Sequence, residues 1–358
     1  MWNIFEFPPK IDIETKEILK MAGKARTALA ELKGVAETIP NQYLLLNALV
    51  LQEAKDSSAI ENIITTHDEL FKAELNIVGV NFLATKEVQN YASALKTGYE
   101  LVKSKQLLTT NYIIQIQEVL EKNKAGFRKV PGTTLKNNSG MIIYEPPQNE
   151  QDIIQLMSKL EHFINNDEFC EWDDLIKMAM IHFQFESIHP FYDGNGRTGR
   201  IINVLYLQKQ QLLNMPILYL SRYINQNKSD YYRLLQDVRD SENWSEWVMY
   251  MLVAIEKTAT QAIGIVKEMG RLMLVFKNKM RSELPKIYSQ DLLNNLFKHP
   301  YTKIEFVQKD LQVSRLTAIK YLDLIDGIGL LSKQKIGKSN YYVNTALVNL
   351  FSKDYTLK

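Results

Sequence analysis

The sequence predicts a mainly α protein with one β-hairpin in mid-chain and a small separate unit near its C-terminal end. Three observations carry this reading. Leu44, Leu45, Leu49, Val50, Ile60, Ile63, Ile64, Leu70 and Phe71 recur at three- and four-residue steps, the spacing of a buried helix face. No proline interrupts residues 41–130 and glycine is sparse there, so long helices are allowed. After Pro285 the pattern shortens into small elements that end in Asn340-Tyr341-Tyr342-Val343, a predicted strand.

Between residues 126 and 147 the texture changes. Thr133, Thr134 and Leu135 precede Asn137-Asn138-Ser139-Gly140, and Met141, Ile142, Ile143 and Tyr144 follow. Two strand-like runs about an Asn/Gly turn predict a β-hairpin, closed by Pro146-Pro147. Helical spacing resumes over 152–165 and again over 172–185. The run 189–200 then leads into Ile201, Ile202, Val204, Leu205 and Leu207, which predicts helix, loop, helix. A further helical pair is predicted over 230–262. Lys, Arg, Ser, Glu and Pro cluster over 277–285, and a domain boundary is expected there.

Composition excludes several classes. At 358 residues two or three domains are expected. The 46% hydrophobic and 23% charged content is ordinary for a globular protein, which argues against a disordered chain. A net charge of +2 gives no bulk signal for nucleic acid or membrane, so any basic surface must be local. Cys170 is the only cysteine, so an internal disulfide framework is excluded and a reducing compartment fits. The first ten residues lack a secretory pattern, and no apolar run approaches the roughly 20 residues of a membrane helix. These readings predict a soluble cytoplasmic protein.

The chemistry concentrates in residues 189–200, His-Pro-Phe-Tyr-Asp-Gly-Asn-Gly-Arg-Thr-Gly-Arg. Gly194-Asn195-Gly196 can turn tightly and aim successive N–H groups at one anion. The helix that follows adds its N-terminus to the same place. Arg197 and Arg200, three residues apart, can both reach that anion. Asp193 beside a phosphate nest makes sense as a Mg²⁺ ligand. His189 is the nearby residue able to accept a proton near neutral pH. Taken singly each has an ordinary reading: a cap, a turn, a pair of surface ion pairs. Their joint order and spacing favour the chemical reading.

That stretch resembles the signature of the Fic family, His-x-Phe-x-[Asp/Glu]-Gly-Asn-Gly-Arg-x-x-Arg, at every fixed position. Gly126-Phe127-Arg128, the hairpin, Pro146-Pro147, and the segments 156–165 and 182–186 are similar to the family core, over roughly residues 107–255. The resemblance implies a helical core with a β-hairpin flap over an active site. It implies His189 as the base that deprotonates a target hydroxyl and Asp193 as ligand of a Mg²⁺ bridging the α- and β-phosphates of ATP. It further implies that Gly194, Asn195 and Gly196 cradle the phosphates, that Arg197 holds phosphate oxygens, and that Arg200 takes the γ-phosphate. The hydroxyl attacks the α-phosphorus in line and pyrophosphate leaves, a reaction that needs positioning and charge neutralisation above all. Members that phosphorylate depart from the signature near Asp193, and this chain does not, so AMP transfer is favoured; UMP or GMP transfer stays open. Tyr232 and Leu235 lie in a stretch resembling the adenine pocket, with plain helix packing the alternative. Phe191 is read as packing the loop on the core.

Upstream, Ser57-Ser58-Ala59-Ile60-Glu61-Asn62 resembles the family's inhibitory motif, [Ser/Thr]-x-x-x-Glu-[Gly/Asn], and on spacing reads as a mid-helix segment with Ser57 and Glu61 on one face. The resemblance implies that Glu61 pairs with Arg200 in the γ-phosphate's place. The hairpin over 133–144 implies a strand edge for an extended protein substrate. Residues 287–344 resemble a winged helix, with 308–314 the turn, 315–325 the second helix and 333–343 the wing. Over 301–344 seven basic residues (Lys303, Lys309, Arg315, Lys320, Lys333, Lys335, Lys338) face four acidic ones, a modest footprint for DNA. DNA binding, protein docking and homodimer formation are all open to such a module. The expected organisation is a helical region over 1–105 with the inhibitory helix, a Fic core over 106–275 and a winged helix over 283–358. The leading function is AMP transfer from ATP to Ser, Thr or Tyr hydroxyls of proteins including itself. AMP removal, or DNA-binding regulation with a nucleotide-sensing core, are the alternatives.

Overall fold

The computed structural model describes residues 2–74, 82–136, 139–336 and 339–352. Helices dominate, as the spacing predicts. In order they are α1 (Lys16–Ala36), α2 (Gln42–Ile60), α3 (His67–Glu74), α4 (Phe82–Lys105) and α5 (Thr110–Glu121). Strands β1 (Leu135–Lys136) and β2 (Ile142–Tyr144) follow, then α6 (Glu150–Asn165), α7 (Asp174–Ile188), α8 (Asn195–Lys209), α9 (Ser221–Gln226), α10 (Lys228–Ser241) and α11 (Trp244–Glu283). The remainder is α12 (Gln290–Lys298), β3 (Tyr301–Thr302), α13 (Ile304–Leu311), α14 (Arg315–Gly327), β4 (Ser332–Ile336), β5 (Ser339–Val343) and α15 (Thr345–Ser352).

Local chemistry sets many of these starts. Thr109, Asn149, Asp173, Ser289 and Ser314 each accept, through a side-chain oxygen, an N–H of the first turn they precede. The hairpin is antiparallel with an irregular register, Leu135 opposite Tyr144 and Lys136 opposite Ile142. Asn137 and Asn138 of its expected turn lie outside the described residues.

The chain divides into two compact units. The first draws on residues 1–33, 49–63 and 87–260. Its centre is α7, buried on every face from Leu175 to Ile188, which is why its sequence is apolar all round rather than striped. It packs between α6 and α8. Trp247 donates Nε1–H to the Ala179 carbonyl at 2.9 Å and stacks on His182 at 5.9 Å. Gly98 of α4 lets two other helices come close: a Cβ there would stand 2.5 Å from Leu205 Cδ1 and 2.9 Å from Ile116 Cδ1, both fully buried.

The second unit draws on residues 34–48, 64–86 and 261–358. It holds a three-stranded antiparallel sheet in the order β3-β5-β4. The Tyr301 hydroxyl donates to Asp68 and its ring stacks on Phe71 at 6.2 Å. One expectation changes here. Residues 308–311 belong to α13, so the turn before the second helix is only Gln312-Val313-Ser314, closed by Gln312 at φ 54° and by the Ser314 cap. The polar cluster over 277–285 does not interrupt α11, which runs on to Glu283 and stops just ahead of Pro285. Lys, Arg and Glu are good helix formers, and only the proline is a true stop. Among the described residues no helix is long and apolar enough to cross a membrane.

The tight crossing at Gly98 is testable. Gly98→Val should destabilise by roughly 1–3 kcal/mol through overpacking. Gly23→Ala, in α1 with open space around it, should instead gain up to about 1 kcal/mol. Urea denaturation of both variants checks the contrast; a neutral Gly98→Val would mean that α4, α5 and α8 do not meet there.

Candidate active site

The loop 189–194 is braced from within. His189 ends α7 in the left-handed region, at φ 49° and ψ 57°, and its N–H bonds the Phe185 carbonyl at 2.9 Å. Phe191 is fully buried, with Phe127 at 5.3 Å and Phe185 at 6.4 Å, so it does pack the loop on the core. Asn195 accepts from the Phe191 N–H and donates to the Phe191 carbonyl, both at 2.8 Å. Its side chain therefore closes the loop, and what it leaves for an anion is backbone. Gly194 caps α8 at φ 76°, and the Glu121 carboxylate occupies the space a Cβ would need. The first N–H groups of α8 have no acceptor within the helix. They border a cleft of ≈ 360 Å³ lined on one side by His189, Asp193 and residues 194–197, and on the other by Glu61, Ile63 and Glu87.

Both signature arginines are held by carboxylates. Arg200 is 1% exposed, and donates Nε–H to Ser57 Oγ at 2.7 Å and Nη2–H to Glu61 Oε1 at 2.8 Å and the Ser57 carbonyl at 3.1 Å. Burial alone would push the Glu61 carboxyl up, but the Arg200 charge and bond outweigh it and hold Glu61 below the ordinary range. Arg197 meets Glu87 at 3.1 Å and Glu121 at 2.9 Å.

Glu61 does not sit mid-helix. α2 ends at Ile60, and the N–H groups of Asn62 and Ile63 bond back to the carbonyls of Ala59 and Ser58, both at 3.0 Å. With Asn62 at φ 62° this is a Schellman closure, and Glu61 is its last right-handed residue. The final position of the Ser-x-x-x-Glu-[Gly/Asn] pattern thus has a physical reason: Gly and Asn adopt at least cost the left-handed turn that ends the helix beside Arg200. One helical turn before Ser57, the buried Glu53 accepts from the Tyr91 hydroxyl at 3.0 Å, the Ser221 N–H at 3.0 Å and the Ser221 hydroxyl, pinning α2 to α4 and α9. Burial pushes Glu53 up to about 7 against those bonds.

His189 keeps part of its surface at the cleft. Burial lowers its imidazole to about 4, Arg128 and Arg239 act in the same direction, and the Glu186 backbone and Glu61 oppose them. It is therefore neutral at physiological pH, the state that can accept a proton. Asp193 is exposed, its Oδ1 accepting the Gly194 N–H at 2.7 Å. Among the described residues no group of three metal-binding side chains exists. One free carboxylate beside an anion cradle fits Mg²⁺, which commonly takes one or two carboxylates plus substrate phosphates. Tyr232 is partly exposed, 5.1 Å from the Tyr231 ring, and burial with the Glu61 charge raises it to about 12. Leu235 is buried.

Sequence reasoning missed Glu87, Glu121, Glu53 and the grip of Arg128, which donates to the carbonyls of His189 and Ile188. Their contacts span from 38 to 168 residues of chain, and no local pattern marks them.

Known families match three stretches of the chain in sequence order. The description "Fic/DOC family N-terminal" matches residues 19–100, "Fic/DOC family" residues 107–207, and "Protein adenylyltransferase SoFic-like, C-terminal domain" residues 272–347. This chain belongs to the Fic family. It is similar to a probable protein adenylyltransferase of Aquifex aeolicus, 30% identical over 192 residues, covering 50% of this chain and 54% of that one. It is also similar to the protein adenylyltransferase Fic of Drosophila mojavensis, 25% identical over 154 residues, 42% of this chain and 29% of the fly protein. The Fic chain thus spans from under a third to about half the length of these relatives. A Fic family protein from Desulfovibrio desulfuricans shares the fold, with a TM-score of 0.61 at 19% identity over 94% of this chain and 98% of that one.

The neutral His189 has a consequence for stability. Its folded value lies below the unfolded one of about 6.5, so the unfolded state takes the proton first and stability is lost as pH falls from about 6.5 toward 4. His189→Gln should therefore gain stability relative to wild type as pH is lowered through that window. A difference in Tm that stays constant from pH 7.5 to 4.5 would show that the imidazole is not held neutral.

Proposed function

We propose that this Fic-family protein is a Mg²⁺- and ATP-dependent adenylyltransferase that moves AMP onto Ser, Thr or Tyr hydroxyls of proteins, itself included, and that Glu61 holds it at rest. The observation that carries the reading is the placement of Arg200: in α8 at the end of the signature, fully buried, and bonded to Glu61, which lines the cleft. Neutral His189 takes the proton of the target hydroxyl, whose oxygen attacks the α-phosphorus while the bond to pyrophosphate breaks. The N-terminus of α8 and the two arginines receive the phosphate charge, once Arg200 exchanges Glu61 for the γ-phosphate. Asp193 would hold a Mg²⁺ ion, which would supply neutralisation of phosphate charge. For the adenine pocket the family resemblance offers Tyr232, which is exposed, and Leu235, which is buried.

The division into a latch region over 1–105, a core over 106–275 and a winged helix over 283–358 is part of this reading, and the three family matches support it. For the C-terminal module we favour protein docking over DNA. Arg315 and Lys333 are paired with Glu305 at 2.8 Å and Asp323 at 2.6 Å, and Leu316, at the start of α14, is 80% exposed. Lys338 of the counted cations lies outside the described residues.

Incubation with labelled ATP and Mg²⁺, followed by mass spectrometry for added AMP, tests the function. Glu61→Gly should raise self-modification well above wild type. Because Glu61 closes a helix rather than occupying its interior, and because Ser57 still partners Arg200, Tm should move little. Arg200→Ala should be inactive in both backgrounds. A Glu61→Gly protein no more active than wild type would remove the inhibitory reading; loss of AMP removal instead would make Glu61 a group of the reverse reaction. His189→Ala should lose about 10²–10⁴-fold of turnover with nucleotide binding retained, and turnover within a few-fold of wild type would exclude it as base.

A further inference from the structure

Arg128 is 1% exposed, and no carboxylate figures among the charged groups that act on it. Its guanidinium meets carbonyl oxygens instead. Nε donates to His189 at 2.8 Å, and Nη2 to Ile188 at 3.3 Å and to Pro147. Its backbone N–H adds the Pro190 carbonyl at 2.9 Å. Three consecutive carbonyls at the end of α7 are thus gripped by one residue.

Each part of that grip answers a physical need. The last carbonyls of a helix lack intrahelical donors, and the negative end of the helix favours a cation. The position that closes α7 is left-handed, where glycine is usual, yet it carries a histidine. A non-glycine residue persists in that conformation when its surroundings over-determine it. The Pro147 contact extends the grip to the root of the hairpin, which Tyr144 also ties to α7 by donating its hydroxyl to the Ser187 carbonyl at 2.9 Å.

We infer that Arg128 is a positioning residue: it locks the His189 peptide and the hairpin root into one rigid piece, so that the proton acceptor and the strand edge offered to a protein keep a fixed relation. This inference rests on the adenylyltransferase reading for its activity test, but one arm of the test does not need activity. A residue that serves only folding would change Tm alone. A positioning residue changes kcat while ATP binding survives, since the phosphate-facing groups of α8 are untouched.

The test uses Arg128→Lys and Arg128→Met in the full chain, both in the Glu61→Gly background. Arg128→Lys keeps the charge and loses the fork. It should retain KM for ATP within about twofold and lose at least tenfold in kcat for AMP transfer. Arg128→Met should lose kcat likewise. It should also raise the titration midpoint of His189, followed by NMR of the imidazole, because a cation leaves its vicinity; Arg239 from α10, Glu61 and the Glu186 backbone remain to face the ring. Arg128→Lys should leave that midpoint in place. Should Arg128→Met fail to fold, the kcat-against-KM split of Arg128→Lys decides. The inference is overturned if kcat stays within twofold in Arg128→Lys, or if the whole loss appears in ATP binding. If Glu61→Gly itself transfers no AMP, the adenylyltransferase reading fails, and the His189 midpoint in Arg128→Met still decides: unchanged, it overturns the grip on His189.

Discussion

A guanidinium cannot be discharged at any physiological pH, so burying Arg200 commits the protein to supplying partners for it. In this conformation the partners are Ser57 and Glu61, and that requirement fixes much else. α2 must approach α8 closely, it must end beside the loop, and its last residues must turn left-handed at Asn62. The interaction is not to be counted as a large gain in stability. Buried ion pairs roughly offset their own desolvation, while removing one partner of a pair is costly. Glu61 keeps 37% of its side-chain surface, so part of its hydration survives, and Ser57 still satisfies the arginine if Glu61 leaves. Such a contact is well suited to exchange: firm in geometry, modest in net energy.

The loop that faces this latch is built differently. It is braced by side chains, Asn195 on Phe191, Phe191 on two other aromatics, and Arg128, from outside the loop, on the carbonyls around His189. The groups left over are backbone N–H groups, one exposed carboxylate and a neutral imidazole. That is the set phosphoryl-type transfer requires, because such chemistry is limited by orientation and charge rather than by covalent help from the protein.

How much of this was legible depended on distance along the chain. Residues 189–200 could be read as a candidate site directly, since the Gly-Asn-Gly turn, two arginines, Asp193 and His189 fall within twelve positions. The pairing of Glu61 with Arg200 spans 139 residues and came only through resemblance to a motif. The partners of Arg197 were invisible: Glu87 and Glu121 look like any solvated helix residue until α4 and α5 are laid beside α8. The helical class was plain from apolar spacing, but α2 was expected to continue through Glu61, because a lone Asn does not announce a left-handed closure. The polar cluster before Pro285 does not by itself mark a helix end, since Lys, Arg and Glu are good helix formers and α11 runs through most of it to Glu283.

The central claim is that one arginine chooses between a carboxylate of its own chain and the end of a nucleotide. A crystal structure of Glu61→Gly with Mg²⁺ and a non-hydrolysable ATP analogue, beside wild type under the same conditions, measures that choice. The account predicts a γ-phosphate oxygen within hydrogen-bond distance of the Arg200 guanidinium in the variant, and Glu61 still on Arg200 in wild type. A γ-phosphate lying away from Arg200 in the variant would contradict it.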